Sequence, residues 1–520
     1  MTTDSAAGVN PYQTPGAGLR GADSDSGAHR KLFLACFIAL VATSFIFGVR
    51  ANVIGELQEK FNLSETQKGN INGVGMWPFA LSIIFFSLII DRIGYKTAAL
   101  IAVGCHVVSL ILTVLATGYA SLYWGTFLVA VANGVVESFI NPVVATVFSK
   151  NKAKWLNILH AGWPAGMALG ALFTVFLKDM SWEWKFGACF VPVVIYALLI
   201  VPRAFPVNER VAAGVSYRDM LKEVGAVGFF AIGALVAAAV AQMAGMEANL
   251  WVTLAIGAVV GIAAGVYTKS PGNWLFLVVL LTMGPLATAE LGTDGWMPDL
   301  LQFAGPDVPL FATWVFIYTS TIMTILRFYA GPIVHRFSPI GLLVISAAIA
   351  IAGLFFLSAA AGWMVLTAAT VYALGKTFLW STTLGLVSEQ FPKGGALTLN
   401  GVSAVGVLGL GIIGSPFIGY QQDKEVDRQL RDSQPALHAM VNGPEKTAIF
   451  GKSPSLDADK VKALPKEQKA ELDKVQAQSK KAMFAKIAML PAFMLLCYLG
   501  MFFYFRGRGG YKPVEIGGAA

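Results

Sequence analysis

The chain has 520 residues, of which 56% are hydrophobic and only 13% are charged, and its mean hydropathy is +0.64. No soluble globular class has such a composition, so we expect most of the chain to lie in a lipid bilayer. The net charge of +8 comes mainly from basic residues in short connections. That pattern is typical of the cytoplasmic loops of membrane proteins and gives no reason to expect nucleic acid as a partner.

The chain begins with a segment rich in Gly, Ser, Asp and Pro, which predicts a disordered cytoplasmic tail over 1–30. Apolar runs of spanning length follow near 33–55, 69–90, 97–118, 121–148, 155–178, 185–202, 225–244, 248–267, 273–301, 308–332, 339–360, 364–388, 395–419 and 483–505. The twenty-residue criterion therefore predicts about fourteen transmembrane helices. We predict an all-α, multi-pass membrane protein.

An even number of helices places both termini on the same side of the membrane. Basic residues gather on that side, at Arg92, at Lys150–Lys154, at Arg336 and at Arg506–Lys512. Because cytoplasmic loops carry an excess of Lys and Arg, both termini are predicted to be cytoplasmic in a cell (inner or plasma) membrane.

A weak internal repeat predicts the domain organisation. A shift of about 244 residues aligns Ser87–Gly94 with Gly331–Ser338, and a nearly equal shift aligns Asn157 with Asn400. Such self-similarity is typical of the two six-helix halves of a transporter. We predict halves over 31–202 and 271–505, a cytoplasmic linker and inserted helix pair over 203–270, an extracytoplasmic polar insertion over 421–481, and a cytoplasmic tail over 506–520.

Glu137 is the most informative polar residue, because it lies near the middle of an apolar run that is long enough to cross a bilayer. An acid at that depth costs about 2–4 kcal/mol and usually faces a cavity or an ion path. Asn133, Glu137 and Asn141 are spaced by four residues, so they are predicted to share one helix face. Two interpretations stay open: a coupling or substrate-binding carboxylate, or an acid that only holds helices together.

Four segments resemble known transporter sequences. The segment Ser87–Lys96, SLIIDRIGYK, resembles the loop between the second and third helices of the major facilitator superfamily. The segments Val136–Pro142, Ala289–Trp296 and Leu326–Pro339 are similar to motifs of its fucose and glucose/galactose symporters. Those symporters carry an aspartate on the first helix, where this chain has Arg50-Ala51-Asn52.

The resemblance implies alternating access, with the first, fourth, seventh and tenth helices around a central cavity. The candidate substrate and coupling residues are Asn133, Glu137, Asn141, Asn157, His160, Glu290, Trp296, Lys376 and Trp380. The candidate gating residues are Arg50, Asp91, Arg92, Asp294 and Arg336.

Two ion pairs are predicted between these residues. Lys376 is expected at the depth of Glu137 on the symmetry-related helix, so we hypothesise a Glu137–Lys376 pair across the cavity. The repeat aligns Arg50 with Asp294, which suggests a gating pair on the outer side. The alternative for the second pair is that each charge extends to the membrane interface independently.

No motif in the chain points to an enzyme, and we expect neither a cofactor nor a metal. A nucleotide-binding loop and metal-ligand spacings are absent from the sequence. The leading interpretation is a secondary active transporter that moves a small solute, most simply a sugar, in symport with a proton or sodium ion. The alternatives are a proton-driven exporter of an amphipathic compound, or a non-transporting membrane sensor or partner subunit.

Overall fold

The structure is a computed structural model that describes residues 27–516 except 245, 247–248, 295–305, 307, 309 and 449. Trp296 and most of the predicted tail over 1–30 lie outside the described residues. The chain folds into helices that form two bundles, which we name the N half and the C half. The N half comprises α1 (Gly27–Lys60), α2 (Glu65–Val74), α3 (Trp77–Ile93), α4 (Tyr95–Val114), α5 (Tyr119–Val147), α6 (Lys152–His160), α7 (Gly162–Phe176), α8 (Trp182–Gly187) and α9 (Phe190–Ile200).

Three helices follow between the bundles: α10 (Glu209–Ala212), α11 (Tyr217–Met243) and α12 (Leu250–Thr268). Helices α11 and α12 pack closely on one another, because Gly257 and Gly261 of α12 lie directly against the α11 backbone at Phe230 and Ala226. Small residues at such a crossing are typical of helix pairs within membranes.

The C half comprises α13 (Trp274–Ala287), α14 (Phe311–Phe328), α15 (Ala330–Phe337), α16 (Pro339–Ala359), α17 (Met364–Lys376), α18 (Leu379–Gln390), α19 (Gly395–Gly409), α20 (Ser415–Ser433) and α24 (Met489–Gly507). Two stretches of π-helix interrupt it, at Thr288–Gly292 after α13 and at Leu410–Gly414 after α19. Stretches of this kind are often found at functional sites.

The polar segment between α20 and α24 forms a small unit of its own. It contains α21 (Pro435–Val441), β1 (Lys446–Ala448), β2 (Gly451–Ser453), α22 (Ala458–Lys462) and α23 (Lys466–Ile487). Strands β1 and β2 pair antiparallel, with Lys446 opposite Ser453. A separate cluster of buried apolar residues, which includes Leu430, Leu437 and Leu472, stabilises this unit.

Among the described residues, thirteen helices are long and apolar enough to cross a membrane. The prediction of about fourteen differs at a single place, the apolar run near 364–388. There the chain forms two shorter helices, α17 and α18, with Thr377 and Phe378 between them. The all-α, multi-pass prediction is confirmed, and this broken helix lies beside the cavity described below.

The backbone supports the internal repeat at one turn in particular. Gly94, between α3 and α4, has φ +82° and ψ 151°, and the aligned Ser338, between α15 and α16, has φ +58° and ψ 159°. Glycine adopts this conformation readily, whereas serine does so at an energetic cost. The same turn is therefore kept in both halves even where the residue does not favour it.

Both ends of the described chain lie at the same end of the molecule, which we name the terminal end. Near the start of α1, Phe33 packs edge-on against Trp155. After α24, the backbone N–H of Val514 donates to the carbonyl of Glu389, whose carboxylate in turn accepts the backbone N–H of Ala153. The two halves contact each other through α3 and α5 against α19, α6 against α18, and α7 against α14.

Candidate functional site

A cavity of about 400 Å³ lies between the two halves. Its lining includes Phe47, Asn52, Phe79 and Trp163 from the N half and Glu290, Asp294, Phe316, Ser320 and Ser415 from the C half. Phe47 is about 20 residues into α1, or about 30 Å from the terminal end at 1.5 Å per residue. The cavity therefore occupies the half of the molecule farther from the termini, and its volume is that of a small-molecule site.

Two carboxylates of the C half line this cavity, and each has a buried cation behind it. Glu290, on the π-helical stretch after α13, forms an ion pair with Arg327 of α14, with 2.8 Å between Oε1 and Nη2. Asp294 pairs closely with the ammonium group of Lys376 at the end of α17. The Arg327 and Lys376 side chains are only 1% exposed, whereas the Asp294 side chain is 21% exposed. The cavity wall therefore presents carboxylate oxygens with their counter-charges buried behind them.

Arg327 uses three of its nitrogens on three different partners. Nη2 donates to Glu290, Nε donates to the carbonyl of Thr377 at 2.7 Å, and Nη1 donates to the carbonyl of His160 at 2.8 Å. His160 belongs to the N half, so this guanidinium joins the cavity carboxylate to the opposite half. The break between α17 and α18 makes the Thr377 carbonyl available, because a helix end leaves carbonyls without helical partners.

The opposite wall of the cavity is aromatic. Trp163 of α7 stacks on Phe79 of α3 with a ring separation of 6.4 Å, and Phe47 of α1 lies 6.1 Å from the same indole. The N half thus provides flat apolar faces and the C half provides hydrogen-bond acceptors. Such a pairing can bind a small solute that has both an apolar face and polar edges.

The hypothesised Glu137–Lys376 pair is absent from the described contacts. Lys376 instead pairs with Asp294, because both belong to C-half helices that meet beside the cavity. Glu137 accepts a hydrogen bond from the Asn141 amide at 2.7 Å. It is buried and is not among the residues that line the cavity, so its place is below the cavity floor, towards the terminal end.

The predicted Arg50–Asp294 pair is also absent from the described ion pairs, since Asp294 is occupied by Lys376. The Arg50 guanidinium lies 4.9 Å from the ring centre of Phe47 and close to Gly75 at the end of α2. Asn52, two residues farther along α1, lines the cavity.

The polar face predicted on α5 divides between two environments. Asn133 accepts a hydrogen bond from His106 Nε2 at 2.9 Å, and His106 Nδ1 is bonded to Tyr196, so Asn133 lies inside the N half. Asn141 lies within 3.4 Å of Asn400 of the C half. Residues eight apart on a helix differ by about 80° in direction, since each residue turns about 100°. Neither asparagine is among the residues that line the cavity, so in this conformation the predicted polar face points into the N half at Asn133 and across the interface at Asn141.

Several predicted site residues lie below the cavity, where the halves meet. His160 Nε2 is 2.9 Å from Asn141 Oδ1, which in this geometry accepts its hydrogen. Asn157 Oδ1 accepts a hydrogen bond from the hydroxyl of Ser381 at 2.7 Å, across the interface. The indole of Trp380 packs against Gly406, and its backbone N–H donates to Glu290 at 3.1 Å. None of His160, Asn157 and Trp380 is among the residues that line the cavity.

The predicted gating residues of the loop motifs lie at the terminal end. Asp91 forms a close ion pair with Arg210 of the linker, and Arg92 lies over the ring of Tyr217 at 5.4 Å. Arg336 is exposed, with its guanidinium near Phe337. The linker also reaches the N half through a 2.6 Å pair of Glu209 with Lys152.

The terminal end is closed between the halves. Lys152 donates to the backbone carbonyl of Ser388 at 3.4 Å, and Glu389 accepts the N–H of Ala153 at 3.1 Å. Tyr511, in the tail after α24, donates to the other oxygen of Glu389 at 2.7 Å. Burial, followed by the charge of Glu389, raises the pKa of the Tyr511 phenol, which therefore keeps its donor hydrogen.

Sequence reasoning missed Arg327, which binds the cavity carboxylate of Glu290 and connects it to the opposite half. Its signal was present, because it is a lone arginine near the end of the apolar run 308–332. An ionisable residue inside a membrane helix is a functional candidate by default. Arg327 also lies in the segment Leu326–Pro339, which resembles a loop motif, so the sequence favoured a loop position over a place in a helix.

Two bundles of membrane helices with a cavity between them, one wall aromatic and the other charged, have the architecture of membrane transporters. The sequence profile of the Major Facilitator Superfamily matches residues 32–416. The chain belongs to the Major Facilitator Superfamily.

Relatives with known names differ in what they carry. A gentisate transporter of Corynebacterium glutamicum is 24% identical over 382 residues, which are 71% of this chain and 74% of the relative. The fucose:proton symporter FucP of E. coli has a similar structure, with a TM-score of 0.53, 16% identity and coverage of 88% of this chain and 98% of that one. An auto-inhibited peptide transporter of the POT family gives a TM-score of 0.57 at 14% identity, with coverage of 94% and 99%. The likeness to these structures shows the shared fold.

Proposed function

We propose that the protein takes up a small polyhydroxylated solute, most simply a sugar, together with a proton or sodium ion by alternating access. The single observation that carries this proposal is the cavity with carboxylates on one side and aromatic rings on the other. Carboxylate oxygens of Glu290 and Asp294 can accept hydrogen bonds from hydroxyl groups. The indole of Trp163 can pack against the C–H face of a sugar ring. Asn52 and Ser320 also line the cavity, and each can both donate and accept hydrogen bonds.

The proposed direction of uptake depends on which side the cavity faces. We assign the terminal end to the cytoplasm of a cell membrane, because the short basic connections gather there. In that orientation the cavity belongs to the outward-facing half of the transport cycle. The division into two moving halves, with the inserted pair α11–α12 attached to the C half, is part of the same proposal.

Cation coupling would supply the free energy for accumulation. One proton that moves down about 100 mV releases about 2.3 kcal/mol, which corresponds to about fifty-fold accumulation of a neutral solute. Glu137 is our candidate for the coupling acid, because it is buried below the cavity and has no buried cation as a described partner.

A second substrate class has its own support. Lys376 is separated from the cavity only by Asp294, so a carboxylate-bearing solute could replace Asp294 as its partner. The gentisate transporter among the relatives carries a solute of that kind by name. An aromatic hydroxy-acid therefore belongs beside sugars in any test of transport.

The test is uptake into proteoliposomes of labelled L-fucose, D-glucose, D-xylose, gentisate and a dipeptide, with and without inward proton or sodium gradients. We expect gradient-stimulated uptake of a sugar that Glu290→Gln reduces at least ten-fold, while Asp219→Asn in the first turn of α11, outside the cavity lining, leaves it unchanged. Uptake of gentisate alone would favour the second class. Stimulation by an outward proton gradient would indicate an exporter, and no uptake of any solute would favour a sensor.

A further inference from the structure

Two prolines of the N half each leave one backbone carbonyl without its helical donor. A proline has no N–H, so the carbonyl four residues earlier in a helix loses its usual hydrogen bond. Pro142 inside α5 frees the carbonyl of Ser138. His160 is the last residue of α6, and Pro164, the third residue of α7, has no N–H to donate back across the break between the two helices, so the His160 carbonyl is also left without a helical donor. Both carbonyls belong to buried residues below the cavity, where an unpaired polar group is costly.

In both places the missing donor comes from the C half. The amide of Asn400, on α19, donates to the Ser138 carbonyl at 2.9 Å. The guanidinium of Arg327, on α14, donates to the His160 carbonyl at 2.8 Å. Asn400 is fully buried and Arg327 is 1% exposed, so water does not compete for either carbonyl in this conformation.

We infer that these proline-freed carbonyls are docking points that hold the halves together below the cavity, with Asn400 and Arg327 as the positioning residues. This goes beyond the proposed function and rests on it only in that alternating access requires the terminal end to open. Opening must break both hydrogen bonds, and each freed carbonyl then gains access to water in the new cavity. The two contacts therefore stabilise the closed conformation, and the open conformation is not left with an unpaired buried carbonyl, because water then binds each one.

Arg327 adds a connection to the solute site. The same guanidinium binds the cavity carboxylate of Glu290, so a solute that draws Glu290 towards the cavity also pulls on the donor to His160. Asn400 has no described contact with the cavity carboxylates, so its docking point is independent of the solute.

The experiment measures the distance between spin labels at Lys150→Cys and Lys393→Cys, which are exposed at the terminal end on opposite halves, in a background without the native cysteines. Pro142→Ala and Pro164→Ala each restore an N–H to the helix and compete with the cross-half donor. We expect each to raise the open, long-distance population about five-fold, as for loss of one net hydrogen bond. Together they should act multiplicatively, because the two sites are separate.

A double-mutant cycle distinguishes docking from a general change in helix shape. Pro142→Ala combined with Asn400→Ala should open the terminal end no more than Asn400→Ala alone, because both changes remove the same hydrogen bond between Asn400 and the Ser138 carbonyl. Arg327→Lys keeps the charge but cannot reach three partners, so it should resemble Pro164→Ala. Pro285→Ala in α13 is the matched control, since none of the hydrogen bonds of the described residues joins the freed carbonyl of Leu281 to the N half.

Unchanged distances in both proline variants, or additive effects of Pro142→Ala and Asn400→Ala, would overturn the inference. The measurement needs no solute. Failure of wild-type protein to take up any solute would thus count against the proposed function and leave this result standing. Size-exclusion profiles and thermal unfolding select folded variants, and the Asn400→Ala and Arg327→Lys arms test the same contacts if a proline variant misfolds.

Discussion

Asn157 and Asn400, which the internal repeat aligns, each reach across to the opposite half. Asn157 of α6 accepts the hydroxyl hydrogen of Ser381 in the C half, and Asn400 of α19 donates to the carbonyl of Ser138 in the N half. Both asparagines are fully buried. Equivalent positions of the two repeats thus each contribute cross-half hydrogen bonds, which stabilise the closed terminal end from both sides.

We predict that Asn157→Ala and Asn400→Ala will each speed the labelling of a cysteine placed at Ser388, which is buried at that interface. The expected increase is at least about five-fold for each, because at least one buried hydrogen bond between the halves is lost. The measurement is the rate of maleimide modification in membranes. Asn70→Ala in the exposed α2 is the control, and equal rates in all variants would contradict the prediction.

The Glu290–Arg327 pair is predicted to contribute to stability through its charge balance and to transport through the Glu290 carboxylate, so the two effects can be measured apart. Glu290→Gln leaves a buried guanidinium without its counter-charge, which costs about 3–5 kcal/mol in buried pairs. The apparent Tm should therefore fall, and the double variant Glu290→Gln with Arg327→Met should recover most of it. Solute uptake should stay low in the double variant, because the negatively charged carboxylate facing the cavity is still missing. Recovery of uptake together with stability would show that the pair serves only packing.

Glu137 is predicted to couple the cation and not to bind the solute. Glu137→Gln keeps an oxygen for the Asn141 amide, so the local hydrogen bond survives while the charge is lost. We expect gradient-driven uptake to fall at least ten-fold, while solute counterflow and its KM change less than two-fold.

The control for that experiment is Asn133→Ala on the same helix, which removes the hydrogen bond with His106 inside the N half and should leave gradient dependence intact. A raised KM with intact gradient dependence in Glu137→Gln would instead place this carboxylate among the solute ligands.

Trp163 is predicted to contribute to affinity through its ring face. Removal of one aromatic contact costs about 0.5–1.5 kcal/mol, so Trp163→Ala should raise KM by about two- to ten-fold. Trp163→Phe should retain most of the affinity. Trp184 is 68% exposed and distant from the cavity lining, so Trp184→Phe is the matched control. A change in maximal rate with an unaltered KM would contradict a binding role for the indole.

The sequence predicted most of the helices because their apolar runs are long and sharply bounded. It also predicted the repeat, whose turn at Gly94 recurs at Ser338 despite the different residue. The helix near 364–388 was predicted as continuous, and its break at Thr377 and Phe378 was missed. Apolar composition reports that a segment favours lipid, but it contains no information on where tertiary contacts replace helical hydrogen bonds.

Most charged residues within the membrane, with the exception of Arg327, were recognised from the sequence alone, because a charge in an apolar run is costly wherever the run packs. Their partners were not. Lys376 was assigned to Glu137 and Arg50 to Asp294, whereas the structure pairs Lys376 with Asp294 and brings the overlooked Arg327 to Glu290. The choice of partner depends on the direction in which each helix face points and on the breaks that let side chains reach backbone carbonyls. Those directions arise only when the two halves pack, so the sequence by itself determined a transporter of the Major Facilitator Superfamily type, and the tertiary structure decided which of its charges meet at the cavity.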